Sequence, residues 1–390
     1  MADLKLFTLV SILIGISIVL TYSLSVYTTL LFGVNEFYFA LRQLSFGFLS
    51  ITIMWLLAQQ NPDKWLTPLG FTLFIGSAFL MIIMPFLGES LVSEVGGAKR
   101  WIKIFGFSLA PVEFFKIGFV YFLAWSFSRK LGHHDGIGLK QEFIRFIPYA
   151  FVFIITMFVI AFVQNDLGQV VVLGFTLLSM LMFAGSSFGF FFSLLLSVLG
   201  FFLFFILTAE HRIIRIKSWW ALAQNSILEL LPVSLAERLR VPVEIEPYQI
   251  GHSLNAIHNG GMLGTGIGNG TFKLGFLTEV HTDFILAGLA EEVGFIGILS
   301  IVFIVLWILQ RLFKIANRSD NSVIYLFSLG IGLLLSSTFL VNAYGISGLT
   351  PIKGIAVPFL SYGGSTMLAS SIAIGMVLMA STKVDMENIK

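Results

Sequence analysis

The sequence predicts an all-α integral membrane protein, with ten transmembrane helices and one long extracytoplasmic loop between helices 7 and 8. Three observations predict it. Only 11% of the 390 residues are charged, while 57% are hydrophobic, 42 of them Phe; soluble domains carry roughly 25% charged residues. The mean hydropathy is +0.94. The apolar residues fall in continuous runs of about 20, the length at which a helix crosses a bilayer with its backbone polar groups satisfied internally. Because the runs do not alternate, a lipid-facing β-barrel is excluded.

Ten spans are expected, at 6–30, 38–58, 66–87, 109–128, 146–164, 168–184, 188–208, 284–309, 322–343 and 357–381. The first follows "MADLK" directly and lacks the short core and small-residue cleavage site of a signal peptide, so it reads as a retained anchor. "AGSSFGF" joins the sixth and seventh spans as a tight turn. The chain reads as one polytopic domain, 1–390, with its long loop at about 209–283. The chain has no Cys, which excludes disulfides and thiolate zinc, and its six His show no H-x-x-x-H pair. A net charge of +2 gives no basic footprint, and no nucleic-acid partner is expected.

Orientation follows from Lys and Arg in the short loops. With the N-terminus inside, that side carries Lys5, Lys64, Arg129, Lys130, Lys140, Arg145, Arg311, Lys314, Arg318, Lys383 and Lys390. The outer short loops carry Arg42, Lys99, Arg100, Lys103 and Lys353. This bias puts both termini in the cytoplasm. The unusual segments then share the outer face, which suits an enzyme or receptor of the outer leaflet better than a carrier with a midplane site.

In "TEVHTDFILAGLAEE" (278–292), Asp283 opens the eighth span. Two readings are open for it: a helix cap gaining from the helix dipole, or a functional carboxylate. Glu291 and Glu292 lie eight and nine residues farther on, about 12–14 Å along the helix. A carboxylate at that depth marks a polar network, and the Glu pair reads as bracing between helices. In "PVEFFKIGF", Glu113 and Lys116 share a helix face and pair inside the apolar run. "GGAKRWIKIFG" reads as a basic outer loop whose Lys99, Arg100 and Lys103 suit an anion such as phosphate, or are simply solvated. "HNGGMLGTGIGNGTFKLG" has six glycines from Gly260 to Gly270. No strand precedes them, so a nucleotide fingerprint is rejected; they either approach a diphosphate closely or form a mobile loop. Asp166, in "FVQNDLGQ", lies at the outer surface. "PIKGIAVPFLSYGGST" cannot be a clean helix and must line a cavity or be buried in protein. "EHRIIRIKSWWALAQ" reads as an amphipathic segment in the membrane interface, with Arg212, Arg215 and Lys217 opposite Trp219 and Trp220.

Together "GGAKRWI", "PVEFFKI", "QNDLG", "YQIGHSLNAIHNGGMLGTGIGNG", "LTEVHTDFILAGLAEEVGFIG" and "PFLSYGGST" resemble, in order and place, the SEDS family of bacterial wall synthesis (RodA, FtsW and SpoVE). The resemblance spans essentially the whole chain. It implies ten transmembrane helices in the bacterial cytoplasmic (inner) membrane and an inverting glycosyltransferase that polymerises lipid II on the outer face. It makes Asp283 the catalytic base and places Lys99, Arg100, Lys353, Asp166, Glu279 and His281 at the substrate and its diphosphate. Glu113 and Lys116 match the family's intramembrane ion pair. A divalent cation, Mg or Mn, bridging Asp283 and the diphosphate is consistent with the family. The implied partners are lipid II, a cognate class B penicillin-binding protein acting as transpeptidase, other divisome proteins and membrane lipids. "PIKGI" is more similar to the FtsW branch than to the elongation branch, RodA; a lipid II flippase is the rival from another class. The chain departs from the family at Asn165 and Thr278, where Pro is usual.

Overall fold

The apolar runs become helices in a computed structural model that describes all residues except 1, 89, 96–97, 105–106, 131–137, 209, 230, 242–247, 352–353 and 385–390. The first run divides at Ser25 into α1 (Leu4–Leu24) and α2 (Val26–Phe32). α3 (Tyr38–Ala58) and α4 (Pro62–Ile83) follow, the latter prolonged to Phe86 by a 3-10 turn. Next come α5 (Pro111–Lys130), α6 (Leu139–Phe158) with a π turn at Val159–Val163, α7 (Leu167–Phe183) and α8 (Phe188–Leu207). The long loop is itself largely helical, with α9 (Glu210–Leu228), α10 (Val233–Leu239) and α11 (Tyr248–Gly260). α12 (Ile285–Asn317), α13 (Ser322–Ile346) and α14 (Gly364–Ser381) complete the chain. The last helix starts later than the expected 357, because 357–363 is irregular.

Seven helices of the described residues are long and apolar enough to cross a membrane: α1, α3, α4, α6, α12, α13 and α14, with α4 and α6 taken through their terminal turns. α7 and part of α8 are shorter apolar helices. The bundle is greasy without and carries polar side chains within a largely apolar core. Phe48, Phe79, Phe151, Leu196 and Phe303 are well exposed, while Ser17, Gln43, Thr176, Glu291 and Glu292 are buried. Exposed apolar surface on that scale marks a lipid-facing, multi-pass protein.

One expectation is corrected. The basic stretch before α5 is not a loop but a three-stranded antiparallel sheet, β1 (Val92–Val95), β2 (Ala98–Ile104) and β3 (Phe107–Leu109), in that order. Only "IKI" at 102–104 alternates apolar and basic residues with a period of two. The bundle therefore carries a small β element at one end.

The bundle has two distinct ends. At one, Asp3 caps α1 and takes two hydrogen bonds from Arg311 of α12, while its N–H donates to Ser381 Oγ of α14. Lys383 reaches Asp63 at the start of α4, 2.6 Å away. At the other end the sheet meets α14, since Ala110 N–H donates to Ser365 Oγ, which donates to Ser108 O. Ser253 of α11 and Trp219 of α9 reach Ile346 O and Gly348 O. Asp3 and Lys383 therefore lie at one end, and the described parts of the segments singled out for chemistry lie at or toward the other.

α12 is broken at Gly294 (φ 67°, ψ −170°), a backbone state essentially confined to glycine. The break frees the N–H groups of Phe295 and Ile296 and the carbonyls of Glu291 and Glu292. Inside a bilayer each would cost several kcal/mol if left bare. The glycine-rich stretch supplies all four partners. Phe295 and Ile296 donate to Gly261 O (2.9 Å) and Met262 O (3.2 Å), while Thr265 and Gly266 donate to Glu291 O (2.9 Å) and Glu292 O (3.0 Å). A Cβ on Gly264 would lie 2.2 Å from Glu292 O, and one on Gly294 would lie 2.3 Å from Gly264 N. This stretch is a splint on a broken helix rather than a free loop.

Gly294→Ala should lower stability by about 2 kcal/mol or more, because it adds a Gly-only backbone state to a clash. Gly76→Ala, in open space on α4, should be neutral or slightly stabilising. Thermal unfolding of the detergent-solubilised protein compares the two.

Candidate active site at the end opposite the termini

Asp283 stands in a tight turn just ahead of α12. Glu279 has φ 54°, and its carbonyl accepts the N–H groups of Thr282 (3.1 Å), Asp283 (3.1 Å) and Phe284 (3.3 Å). The turn is locked from two sides. Asn342 of α13 donates from Nδ2 to both Asp283 O and Ile355 O, each at 2.7 Å. The irregular 355–363 segment adds Ser361 Oγ donating to Thr282 O (2.6 Å) and Tyr362 N–H donating to His281 O (2.8 Å). That segment is held in turn by Gln43 of α3, whose Nε2 donates to Ser361 O and to Ser17 Oγ.

The position just before α12 is Phe284, and it makes no side-chain cap. Among the described residues no hydrogen bond to the Asp283 carboxylate is present, so the cap reading does not describe it. The carboxylate lies against Gly354, where a Cβ would come within 2.6 Å of Oδ2. Its pKa is pushed up to about 6, first by burial, then by the Glu279 and Asp166 carboxylates, with Arg100 opposing. It is half-buried, open to a reactant and protonated more readily than an ordinary aspartate.

Arg100 clamps the segment that brings Asp166 to this site. Its Nε donates to Gln164 O and its Nη2 to Asn165 O, both at 2.7 Å, with Nη1 3.8 Å from Asp166 Oδ2. Asp166 caps α7 through Gln169 N–H, and burial raises its pKa against the pull of Arg100. Neighbouring strand residues point to opposite faces, and Lys99 reaches the other way, to Pro85 O at 3.5 Å. Beneath Asp166, Glu113 pairs with Lys116 at 2.8 Å, both buried, and accepts from Gln169 Nε2. His281 is buried between the rings of Phe39 and Tyr362, and burial lowers its pKa, with Glu279 opposing. Lys353 lies outside the described residues.

The Glu pair forms a deeper layer. Glu291 Oε1 accepts from Thr271 N–H (2.6 Å), Phe272 N–H (3.2 Å) and Asn259 Nδ2 (2.9 Å). Glu292 pairs with buried Lys273 at 2.6 Å and accepts from Ser23 Oγ of α1 at 2.7 Å. Four N–H groups of the glycine-rich stretch, those of Thr265, Gly266, Thr271 and Phe272, are thus taken by α12 itself. Among the described residues no three His, Asp or Glu side chains converge as a metal site. A divalent cation there would need ligands from elsewhere.

Sequence reasoning missed Gln43, Asn342, Ser361 and Lys273. Gln43 and Asn342 carried a usable signal, as amides inside apolar runs, where a polar side chain usually has a partner. Ser361 and Lys273 had none beyond their place in a motif.

A family model described as a cell cycle protein, covering FtsW, RodA and SpoVE, matches residues 4–386. The chain belongs to this family. A probable peptidoglycan glycosyltransferase FtsW of Helicobacter pylori is 48% identical over 96% of this chain and 97% of its own length. That of Haemophilus influenzae is 32% identical over 99% and 91%. Two solved structures share the fold. One comes from a peptidoglycan synthase complex (TM-score 0.69, 21% identity, 99% of each chain). The other is Thermus thermophilus RodA, a rod shape determining protein (TM-score 0.63, 19% identity, 98% of this chain and 97% of that one).

The family's usual Pro has a physical obstacle at position 165. Asn165 has φ 50°, which Asn tolerates and Pro, fixed near −65°, cannot adopt. At position 278 the substitution adds a contact, since Thr278 Oγ1 accepts from Gln249 Nε2 at 3.1 Å. Asn165→Pro should therefore destabilise this chain by about 2–3 kcal/mol, whereas Asn165→Gly should be nearly neutral. Unfolding midpoints of the two variants test the difference.

Proposed function

We propose that this chain is a peptidoglycan glycosyltransferase of the FtsW type, joining lipid II units into glycan at the outer face of the bacterial cytoplasmic membrane during septal wall synthesis. One observation carries the reading: a half-buried carboxylate, Asp283, with its pKa pushed up to about 6, held in a braced turn at the end opposite the termini. The family membership and the names of the relatives support the same activity.

In this reading Asp283 takes the proton from the acceptor sugar hydroxyl as its oxygen attacks the donor's anomeric carbon. The bond to the undecaprenyl diphosphate breaks on the opposite face, which inverts the linkage without a covalent enzyme intermediate. A base near pKa 6 is ionised at neutral pH yet basic enough to accept a proton. Positive charge at the leaving diphosphate comes from Arg100, with Lys99 and Lys353 as further candidates. Arg100 also fixes Asp166, so it both places a neighbour and supplies charge. Glu279 acts on the base as a like charge and sits close enough to meet the acceptor sugar. His281 contributes shape rather than charge. A Mg or Mn ion, where bound, would help neutralise the diphosphate.

The chain is read as one domain crossing the membrane ten times. The seven long spans are joined by α5, α7 and α8, and the segment from α9 to the turn before Asp283 lies outside. The Lys and Arg distribution supports cytoplasmic termini. The proposed partner is a class B penicillin-binding protein that cross-links the strands, within a divisome assembly.

Purified chain with its cognate transpeptidase, cross-linking blocked, should convert lipid II to glycan resolved on a gel. Asp283→Asn should cut the rate by about 10²–10⁴-fold while folding and partner binding persist. Equal product from both would remove Asp283 as base. Lipid II crossing vesicles without polymerising would make the chain a transporter.

A further inference from the structure

The proposed catalytic machinery leaves the buried charge of Lys273 unused. Lys273, 2% exposed, lies in the glycine-rich stretch, ten residues before Asp283. Its Nζ donates to Glu292 Oε1 (2.6 Å), Gly268 O (2.8 Å), Ser23 O (3.1 Å) and Ser23 Oγ (3.2 Å). One ammonium thus joins three elements: α1, the splint and the first half of α12. The break at Gly294 matters here. Ile285–Val293 is set off from the rest of α12 by non-helical backbone at Gly294, and Asp283 lies two residues before its first residue. Among the described residues the polar contacts at the far end of this half-helix are the two splint hydrogen bonds to Glu291 O and Glu292 O, Glu291 in its N–H nest and the Lys273–Glu292–Ser23 cluster.

We propose that Lys273 is a positioning residue for the reaction: through Glu292 and Ser23 it sets the placement of the half-helix that carries Asp283. This rests on the glycosyltransferase reading above. A buried pair made only for stability is replaceable by neutral groups of similar shape with little loss, whereas a positioning pair is not. A displacement of about 1 Å at a catalytic group can cost 10²-fold in rate.

The test uses the full chain with its transpeptidase, lipid II as substrate, and three variants. Lys273→Met removes the ammonium. Lys273→Met with Glu292→Gln removes both charges, so that no unpaired carboxylate unfolds the protein. Lys273→Arg retains the charge. The double variant should keep an unfolding midpoint within a few degrees of native, lose about 10–100-fold in kcat and change KM less than two-fold. The acid limb of its rate profile should also leave pH 6, because Asp283 then sits differently relative to Glu279, Asp166 and Arg100. Lys273→Arg should recover to within about five-fold of native. The proposal is overturned if the double variant keeps native kcat and acid limb, or if its activity falls only in step with its folded fraction. Native chain and Asp283→Asn run alongside. If native makes glycan and Asp283→Asn does not, the function stands whatever Lys273 shows. If native makes none, the function fails first.

Discussion

The structure depends on one constraint: a helix opened inside a membrane must have its freed backbone groups met by protein. Gly294 opens α12, and the glycine-rich stretch closes it again with four backbone hydrogen bonds. Much of the active end follows from that repair. The stretch must come close enough to touch backbone, which demands glycine at 264 and 294. Its own N–H groups then need an acceptor, and Glu291 provides one. Its lysine needs a counter-charge, and Glu292 provides that. Acids that look misplaced in an apolar helix are the anchors of the splint.

The electrostatics of the upper layer follow from crowding. Glu279 and Asp166 both act on Asp283 as like charges, while among the described residues Arg100 is the one cation that acts on it. That arginine is already committed to two carbonyls and Asp166. Burial plus incompletely balanced like charge lifts the Asp283 pKa, resolving a tension visible in the sequence. A helix N-terminus would have lowered it, but Phe284 rather than Asp283 is the capping position. The carboxylate stands outside the helix's hydrogen bonds and keeps its basicity.

Much of the fold was legible because hydropathy reports directly on lipid-facing helices. α3 and α8 begin where the apolar runs do, and the polar segments share one end as charge bias implied. The sheet was not read, because a short basic stretch between two spans looks like a loop and only "IKI" at 102–104 alternates. The break at Gly294 was invisible for another reason: glycine is common in transmembrane helices, and only the distant partners at 261–266 show it to be a break. In the site, acids and bases stood out against an apolar background. The neutral groups that place them, Asn342, Ser361 and Gln43, did not, since their role lies in contacts far apart in sequence. His281 was read by residue type, and its packing between Phe39 and Tyr362 could not be read from sequence.

The most direct test of the central claim is the pH dependence of lipid II polymerisation by the native chain and by Glu279→Gln, each with its partner. A base whose pKa is raised to about 6 is ionised above that pH and protonated below it, so activity should fall as pH drops through 6. Removing the Glu279 charge favours the Asp283 carboxylate, so the limb should move to lower pH in Glu279→Gln. A native rate that stays flat from pH 7 to pH 5, or a limb that Glu279→Gln leaves in place, would contradict the assignment of Asp283 as the base.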